Sequence, residues 1–176
     1  MLKQYFDLKA DVRYDGQYHS IRDLVQPDDS EVREIALVLV QADDFVAAAQ
    51  DFVDSFTTYQ REVGDFWTTP AEMLKARAGD CDDKAILLCS ILRNYIPAED
   101  VFCAIGVLDG DGHMWCVTKG ETEEDRVIEA TASSSKSTRG KYKLYAIFND
   151  KYAFSYPEGI KEFCLMPVEE KELVYA

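Results

Sequence analysis

The fold is decided by the stretch Gly79-Asp80-Cys81-Asp82-Asp83-Lys84-Ala85-Ile86-Leu87-Leu88-Cys89-Ser90-Ile91-Leu92. Its apolar residues recur at helical spacing and cover most of the helix circumference, which is typical of a largely buried helix. Gly79 ends the preceding segment just before the cysteine, and Asn94 and Pro97 mark the predicted end of the helix. The stretch therefore predicts a buried helix that begins at Cys81.

Further helices are expected before this one. The first is capped by Asp28, with Glu31 three residues on, and its apolar spacing runs to Val40. The same apolar pattern continues from Phe45 to Phe56, after a break near Asp43-Asp44. A short helix is predicted from Pro70 to about Ala76. Residues 1–27 are expected to be irregular and polar, with room for short extended pieces only.

After the cysteine helix, the sequence changes to short segments rich in β-branched and aromatic residues. The predicted strands are Val101–Leu108, Met114–Thr118, Arg126–Ala130, Leu144–Phe148 and Tyr152–Tyr156. A tight hairpin is expected at Asp109-Gly110-Asp111-Gly112, a polar loop at 132–141 and a weakly ordered acidic tail at about 167–176. Helices followed by an antiparallel meander predict an α+β fold, with the cysteine helix packed on the sheet, in one domain that spans 1–176.

The composition excludes several classes of protein. A net charge of −14 argues against non-specific binding to nucleic acid or to an anionic membrane surface. The longest apolar run, Ile35–Val40, is far shorter than the ~20 residues of a membrane span, and the first residues have no apolar segment typical of a secretory signal. The five cysteines, an odd number without a CxxC pair, predict free thiols and hence a reducing, cytoplasmic location.

Cys81 is the first chemically interesting residue. The first-turn N–H groups and the positive end of the helix dipole favour a thiolate there, and the same N–H groups can hold an oxyanion. The negative charges of Asp80, Asp82 and Asp83 oppose a thiolate, so a cationic partner is needed. A small buried cysteine after an N-cap aspartate is the alternative interpretation.

The partner of Cys81 has to be His113 or His19, since the chain has only these two histidines. His19 has no obvious context, whereas His113 follows the predicted hairpin turn. A cysteine–histidine pair is the arrangement that acyl transfer needs, with a carboxylate to orient the imidazole. Glu129 interrupts an apolar strand and could supply that carboxylate. Taken singly, His113 could be a polar hairpin residue and Glu129 an exposed edge residue.

Together, these residues resemble the transglutaminase-like superfamily of papain-fold thiol enzymes. The three motifs, in the family's order, are Trp67-Thr68-Thr69-Pro70 with Gly79-Asp80-Cys81-Asp82-Asp83, then Gly112-His113-Met114-Trp115, then Val127-Ile128-Glu129-Ala130-Thr131. They lie within residues 60–131, under half of the chain. The resemblance implies a Cys81 nucleophile, a His113 general base and acid, and a Glu129 orienting carboxylate, although the third position is more often Asp in the family.

What the resemblance implies about function is an amide hydrolase or acyltransferase that forms a Cys81 thioester with a peptide or protein substrate. A non-catalytic binding or structural module with the same fold is the alternative. Gln60 and Trp67 are the residues considered for a second oxyanion donor. No cofactor or metal is expected, because the Asp109–Gly112 segment lacks the remaining ligands of a calcium loop and carboxylates with one thiolate are an unusual metal-binding set. The sequence carries no signal for the oligomeric state.

Overall fold

The buried helix that begins at Cys81 is the central element of the fold. The computed structural model describes the backbone of residues 2–14, 16–64, 66–120, 125–136, 140–155 and 166–175, and the side chains of these residues except 2–8 and 166–175. Helix α4, Cys81–Leu92, is buried at every position from Asp82 to Leu92. It contacts three other helices and two strands of a sheet, which confirms the predicted packing.

The three helices before α4 match the predicted segments, with one correction. They are α1, Ser30–Leu39, α2, Phe45–Phe56, and α3, Pro70–Ala76. The cap of α1 is Asp29 instead of the predicted Asp28, because the Asp29 Oδ1 accepts hydrogen bonds from the N–H groups of Glu31 and Val32 at 3.0 and 3.1 Å. A 3₁₀ turn, Ile21–Leu24, lies before α1.

An eight-stranded antiparallel sheet packs against α4. Its strands are β1, Leu2–Tyr14; β2, Gln17–Ser20; β5, Val101–Leu108; β6, Asp111–Lys119; β7, Asp125–Ile128; β8, Tyr142–Phe148; β9, Ala153–Ser155; and β10, Met166–Tyr175. The order is β10-β1-β9-β8-β5-β6-β7, and β2 pairs with β1. A separate parallel pair joins β3, Thr58–Tyr59, to β4, Ala78–Gly79.

This topology corrects the predicted simple meander. Strands β5, β6 and β7 follow one another, but β8 returns to the other side of β5. The strand predicted at Arg126–Ala130 also has shifted ends. It is β7, which ends at Ile128, so Glu129 lies just beyond it. Tyr156, the predicted end of the last strand, lies outside the described residues.

Both ends of the chain were predicted wrongly. The segment expected to be irregular contains the long strand β1, and the acidic tail forms β10, which pairs with β1 in an antiparallel register from Leu2↔Tyr175 to Lys9↔Met166. Charged residues such as Glu169, Glu170 and Lys171 are typical of a disordered tail. They are also typical of an edge strand, where charge prevents pairing with other chains. In β1, the alternation of apolar and charged residues from 7 to 13 is a strand signal that was missed.

The predicted hairpin between β5 and β6 is confirmed. Leu108 pairs with Asp111, and the two residues between them, Asp109 and Gly110, have φ values of 52° and 98°. Two consecutive positive φ values define the type I′ turn that an Asp-Gly sequence favours. The turn fixes the register of β6 and hence which face of the sheet carries His113.

No helix among the described residues is long and apolar enough to cross a membrane.

Gly106 provides a test of the packing between β5 and its two neighbours. A Cβ at Gly106 would collide with the Lys143 carbonyl oxygen and lie 2.7 Å from the Trp115 ring. We therefore expect Gly106→Ala to lower the free energy of unfolding by about 1–3 kcal/mol, as overpacking does. Urea denaturation measures this, with Gly112→Ala as the control, because nothing lies within 4 Å of a Cβ there. Equal stabilities of the two variants would contradict the packing.

Candidate active site

Cys81 is held by the short parallel pair of strands that leads into α4. The Thr58 N–H donates to the Arg77 carbonyl at 2.8 Å, and the Gln60 N–H donates to the Gly79 carbonyl at 2.9 Å. The thiol is partly exposed, whereas Cys89, Cys103 and Cys116 are buried. All four are unpaired, as predicted; Cys164 lies outside the described residues. Cys81 is therefore an accessible thiol at a helix N-terminus.

Asp83 ties the first turn of α4 to the Trp67–Pro70 segment. Its Oδ1 accepts hydrogen bonds from the Thr68 N–H and hydroxyl at 2.8 and 2.7 Å, and its Oδ2 accepts from the Asp80 N–H at 3.2 Å. The side chain fills the space beside Gly79, where a Cβ would lie 2.5 Å from its Oδ2. The side chain of Asp83 therefore leaves no room for a Cβ at Gly79.

The acidic neighbours of Cys81 are less charged than the sequence implies. Burial raises the pKa of Asp82 far above its ordinary value, and the hydrogen bond and the charge of Asp80 act in the same direction. Burial also raises the pKa of Asp83, although the hydrogen bonds from Thr68 oppose this. The protonated form of Asp82 removes one of the three negative charges expected beside the thiol.

His113 lies on β6 between Cys81 and Glu129. Its Nε2 is 2.9 Å from Glu129 Oε2, so Nδ1 is the ring nitrogen left for Cys81. The ring stacks on Trp115 with centroids 6.0 Å apart. Burial lowers the pKa of His113, but the hydrogen bonds to Cys81 and Glu129 outweigh it and raise the pKa to about 9. The imidazole is therefore cationic at neutral pH.

Glu129 accepts hydrogen bonds on both carboxylate oxygens. Oε2 accepts from His113 and from the Tyr142 hydroxyl at 2.9 Å, while Oε1 accepts from the Thr131 hydroxyl at 2.8 Å and its N–H at 3.2 Å. Burial raises the pKa of Glu129, but these hydrogen bonds outweigh it, and the pKa is lowered. Gln50 of α2 donates to the Glu129 carbonyl at 3.0 Å and so fixes the loop. Glu129 is a buried, ionised carboxylate with four donors.

The two residues considered for a second oxyanion donor are placed differently. Gln60 is exposed and is not among the described residues that line the cleft at Cys81. Trp67 lines the cleft and is also a core aromatic that stacks on Phe148 with centroids 6.1 Å apart. Of the two, Trp67 lines the cleft and Gln60 does not.

Sequence reasoning missed Tyr142 and Gln50, which hold Glu129. Neither belongs to a motif, and Tyr142 follows Glu129 by 13 residues on a strand that is not adjacent to β7. The order of the strands brings Tyr142 to Glu129, whereas Gln50 reaches it from helix α2. Thr131 was part of the third motif, and a hydroxyl two residues after a buried carboxylate is a signal that could have indicated its role.

An open cleft of about 980 Å³ leads to Cys81 and His113. Its walls are formed by β1 residues such as Val12, by Tyr59, Arg61 and Glu62, by the start of α4 and by the β5–β6 hairpin. Trp67 N–H donates to the Val12 carbonyl at 2.7 Å, which joins the N-terminal strand to the motif segment. The volume is sufficient for several residues of an extended peptide.

A helix that begins with cysteine, packed on an antiparallel sheet that carries a histidine–carboxylate pair, defines a transglutaminase-like peptidase fold. Residues 65–155, just over half of the chain, match the model of the CEP76 peptidase-like domain, and the chain belongs to that family. The resemblance to the transglutaminase-like superfamily is thereby confirmed. A comparison with curated proteins gave no significant match.

Solved structures of LapG from Legionella pneumophila share the fold. One aligns with a TM-score of 0.54 at 15% identity and covers 70% of this chain and 85% of LapG. The calcium-bound form aligns with a TM-score of 0.51 at 16% identity, covering 70% and 87%, and the EGTA-treated form with 0.51 at 16%, covering 71% and 85%. At these identities the likeness concerns the fold.

The contact between His113 and Glu129 predicts how the histidine titrates. Because the Glu129 charge raises the pKa of His113, Glu129→Gln should lower the midpoint from about 9 by roughly one to three pH units. Tyr142→Phe keeps the carboxylate and should leave the midpoint at or above its original value. NMR titration of the His113 ring, assigned with a His19→Ala variant, measures both. An unchanged midpoint in Glu129→Gln would contradict the pairing.

Proposed function

We propose that the chain is a cysteine peptidase in which Cys81 is the nucleophile, His113 the general acid and base, and Glu129 the carboxylate that orients His113. The observation that carries the proposal is the 2.9 Å contact between His113 Nε2 and Glu129 Oε2, together with the hydrogen bond between His113 and Cys81 in the lining of an open cleft. The raised pKa of His113 keeps the imidazole protonated at neutral pH, as a general acid requires.

The reaction proceeds through a thioester. The Cys81 thiolate attacks the carbonyl carbon of a peptide bond, and the negative charge that forms on the carbonyl oxygen is held by the Cys81 N–H, one of the helix N–H groups without an intrahelical partner. His113 gives its Nδ1 proton to the leaving amine, so the C–N bond breaks and the acyl group stays on sulfur. His113 then removes a proton from water, which attacks the thioester and releases the acid and the thiol.

Transfer of the acyl group to an amine is the second outcome of the same thioester. It differs only in the nucleophile of the second half-reaction. Cys81 is partly exposed, so water, which is present at far higher concentration than any amine, reaches the thioester. Added primary amines compete with water for the thioester, and the ratio of amide to acid products distinguishes transfer from hydrolysis.

A calcium ion fits the first turn of α4. Asp80, Asp82 and Asp83 each have a carboxylate oxygen within 4.8 Å of the others, and Asp80 Oδ1 is buried without a hydrogen-bond partner among the described residues. Oxygen ligands of this kind suit calcium, and LapG has been solved with calcium bound. We propose that these three residues hold calcium, which would neutralise the carboxylates beside the thiol.

The proposed triad makes a prediction about thiol reactivity. Iodoacetamide should alkylate Cys81 faster than Cys103 and Cys116, since burial raises the pKa of both buried thiols. His113→Ala should slow the alkylation of Cys81 near pH 7 by roughly tenfold or more, because one pKa unit changes the thiolate fraction tenfold. His19→Ala is the matched control. Site-resolved mass spectrometry measures the rates, and a Cys81 as slow as the buried thiols would contradict the proposal.

Hydrolysis itself is tested in the same preparation. Wild type should generate new N-termini in a peptide pool, with an acyl adduct on Cys81, and Cys81→Ala should generate none. An alkylated but inactive Cys81 would favour the non-catalytic module instead.

The proposed calcium site predicts that the heat of calcium binding includes the heat of a released proton. Because Asp82 is protonated without the ion, calcium binding should release a proton, and the heat should differ between buffers of different ionisation enthalpy. Asp80→Asn and Asp82→Asn should weaken binding. Asp109→Asn, in the hairpin that resembles a calcium loop, is the control and should not. Binding that is lost in Asp109→Asn alone would place the ion elsewhere.

A further inference from the structure

The cleft is more acidic than the chain as a whole. Among the described residues that line it, six carry carboxyl groups, namely Asp11, Glu62, Asp80, Asp82, Asp109 and Asp111, of which Asp82 is protonated. The cations of the lining are Arg61 and His113, and His113 is already paired with Glu129. The chain has 33 acidic and 19 basic residues, fewer than two acids for each base. The excess in the cleft is therefore not a reflection of overall composition.

Four of these acids lie away from α4 and frame the cleft. Asp11 is on β1, Glu62 follows β3, Asp109 is in the β5–β6 turn, and Asp111 begins β6. Asp11 Oδ2 accepts from the Gly16 N–H at 2.9 Å and Asp109 Oδ1 from the Lys141 N–H at 2.8 Å. These donors are main-chain groups, so they orient the carboxylates without neutralising them.

The four framing carboxylates are spread along the cleft. Within the described part of the chain, the one acidic group whose ligand atoms converge within 4.8 Å is Asp80, Asp82 and Asp83. A single metal ion thus cannot contact the framing carboxylates together, whereas an extended chain with several cationic side chains can. Tyr18 and Tyr59, both 52% exposed, add aromatic rings to the same walls, and such rings accept lysine and arginine side chains.

The carboxylates of the cleft act on one another across its width. Burial raises the pKa of Glu62, and the charges of Asp83 and Asp80 raise it further. Burial likewise raises the pKa of Tyr59, and the charge of Asp80 raises it further.

Building on the proposed peptidase function, we infer that the cleft selects peptide segments with lysine or arginine next to the bond that is cleaved. The framing carboxylates Asp11, Glu62, Asp109 and Asp111 bind the cationic side chains of that segment. They determine which peptides reach Cys81 and take no part in the bond cleavage itself.

Two peptidyl acyloxymethyl ketones test this selectivity. They differ in having lysine or norleucine beside the reacting ketone, so the carbon chain is the same and only the ammonium differs. The Cys81 thiolate displaces the acyloxy group as a carboxylate and forms a thioether, which mass spectrometry detects. Each labelling rate is divided by the iodoacetamide rate of the same protein, with calcium held constant. The lysine probe should label wild type roughly tenfold faster than the norleucine probe, since exposed charge pairs each contribute a few-fold.

The matched variants locate the selectivity. The triple variant Glu62→Gln, Asp109→Asn and Asp111→Asn should lose most of the preference, and 1 M salt, which shortens the Debye length to about 3 Å, should do the same in wild type. Glu34→Gln is the control, because Glu34 is an exposed acid of α1 outside the cleft lining.

The outcomes separate this inference from the function on which it rests. Equal rates for the two probes, or a preference that survives in the triple variant, would overturn the inference while leaving the peptidase proposal intact. A Cys81 that neither probe nor iodoacetamide labels faster than the buried thiols would overturn both. A preference that falls in the triple variant and stays in Glu34→Gln supports the inference.

Discussion

Complete burial of α4 is the constraint from which the rest of the structure follows. A helix that is covered from its second residue onward leaves only its first residue partly exposed, and that residue is Cys81. Asp82, Asp83 and Lys84 then have to enter the interior in succession, although burying ionisable groups costs free energy. From Ala85 the helix is apolar except for Ser90. Local rules of this kind are broken most often at functional sites.

The structure meets this cost with specific partners. Asp83 is satisfied by the Thr68 hydroxyl and main chain, which in turn fixes the segment from Trp67 to Pro70. Lys84, 2% exposed, has Asp54 of α2 at 3.9 Å, and burial lowers the pKa of Lys84 despite that carboxylate. The first turn of α4 is therefore linked to both α2 and α3. The position of Cys81 depends on these links as much as on the apolar face of the helix.

Much of this arrangement could be predicted from the sequence because it is encoded locally. The α4 stretch, the Asp-Gly turn and the motif around His113 each identify themselves within a few residues. The edge strands could not be found in this way, since β10 joins β1 from the far end of the chain. The support of Glu129 by Tyr142 was also hidden, because it depends on β8 crossing to the other side of β5. Non-local pairing is what the sequence pattern does not show.

The electrostatics of the site depend on two contrasting carboxylate environments. Glu129 is buried but receives four hydrogen bonds, so it stays ionised and stabilises the His113 cation. Asp82 is buried beside Asp80 and Asp83, so burial and like charges favour its protonated form. When two nearby acids lie in different environments, their pKa values move apart, and one is ionised while the other is protonated. The positive charge at His113 thus lies next to Cys81, while the negative charge that would oppose a thiolate is reduced at Asp82.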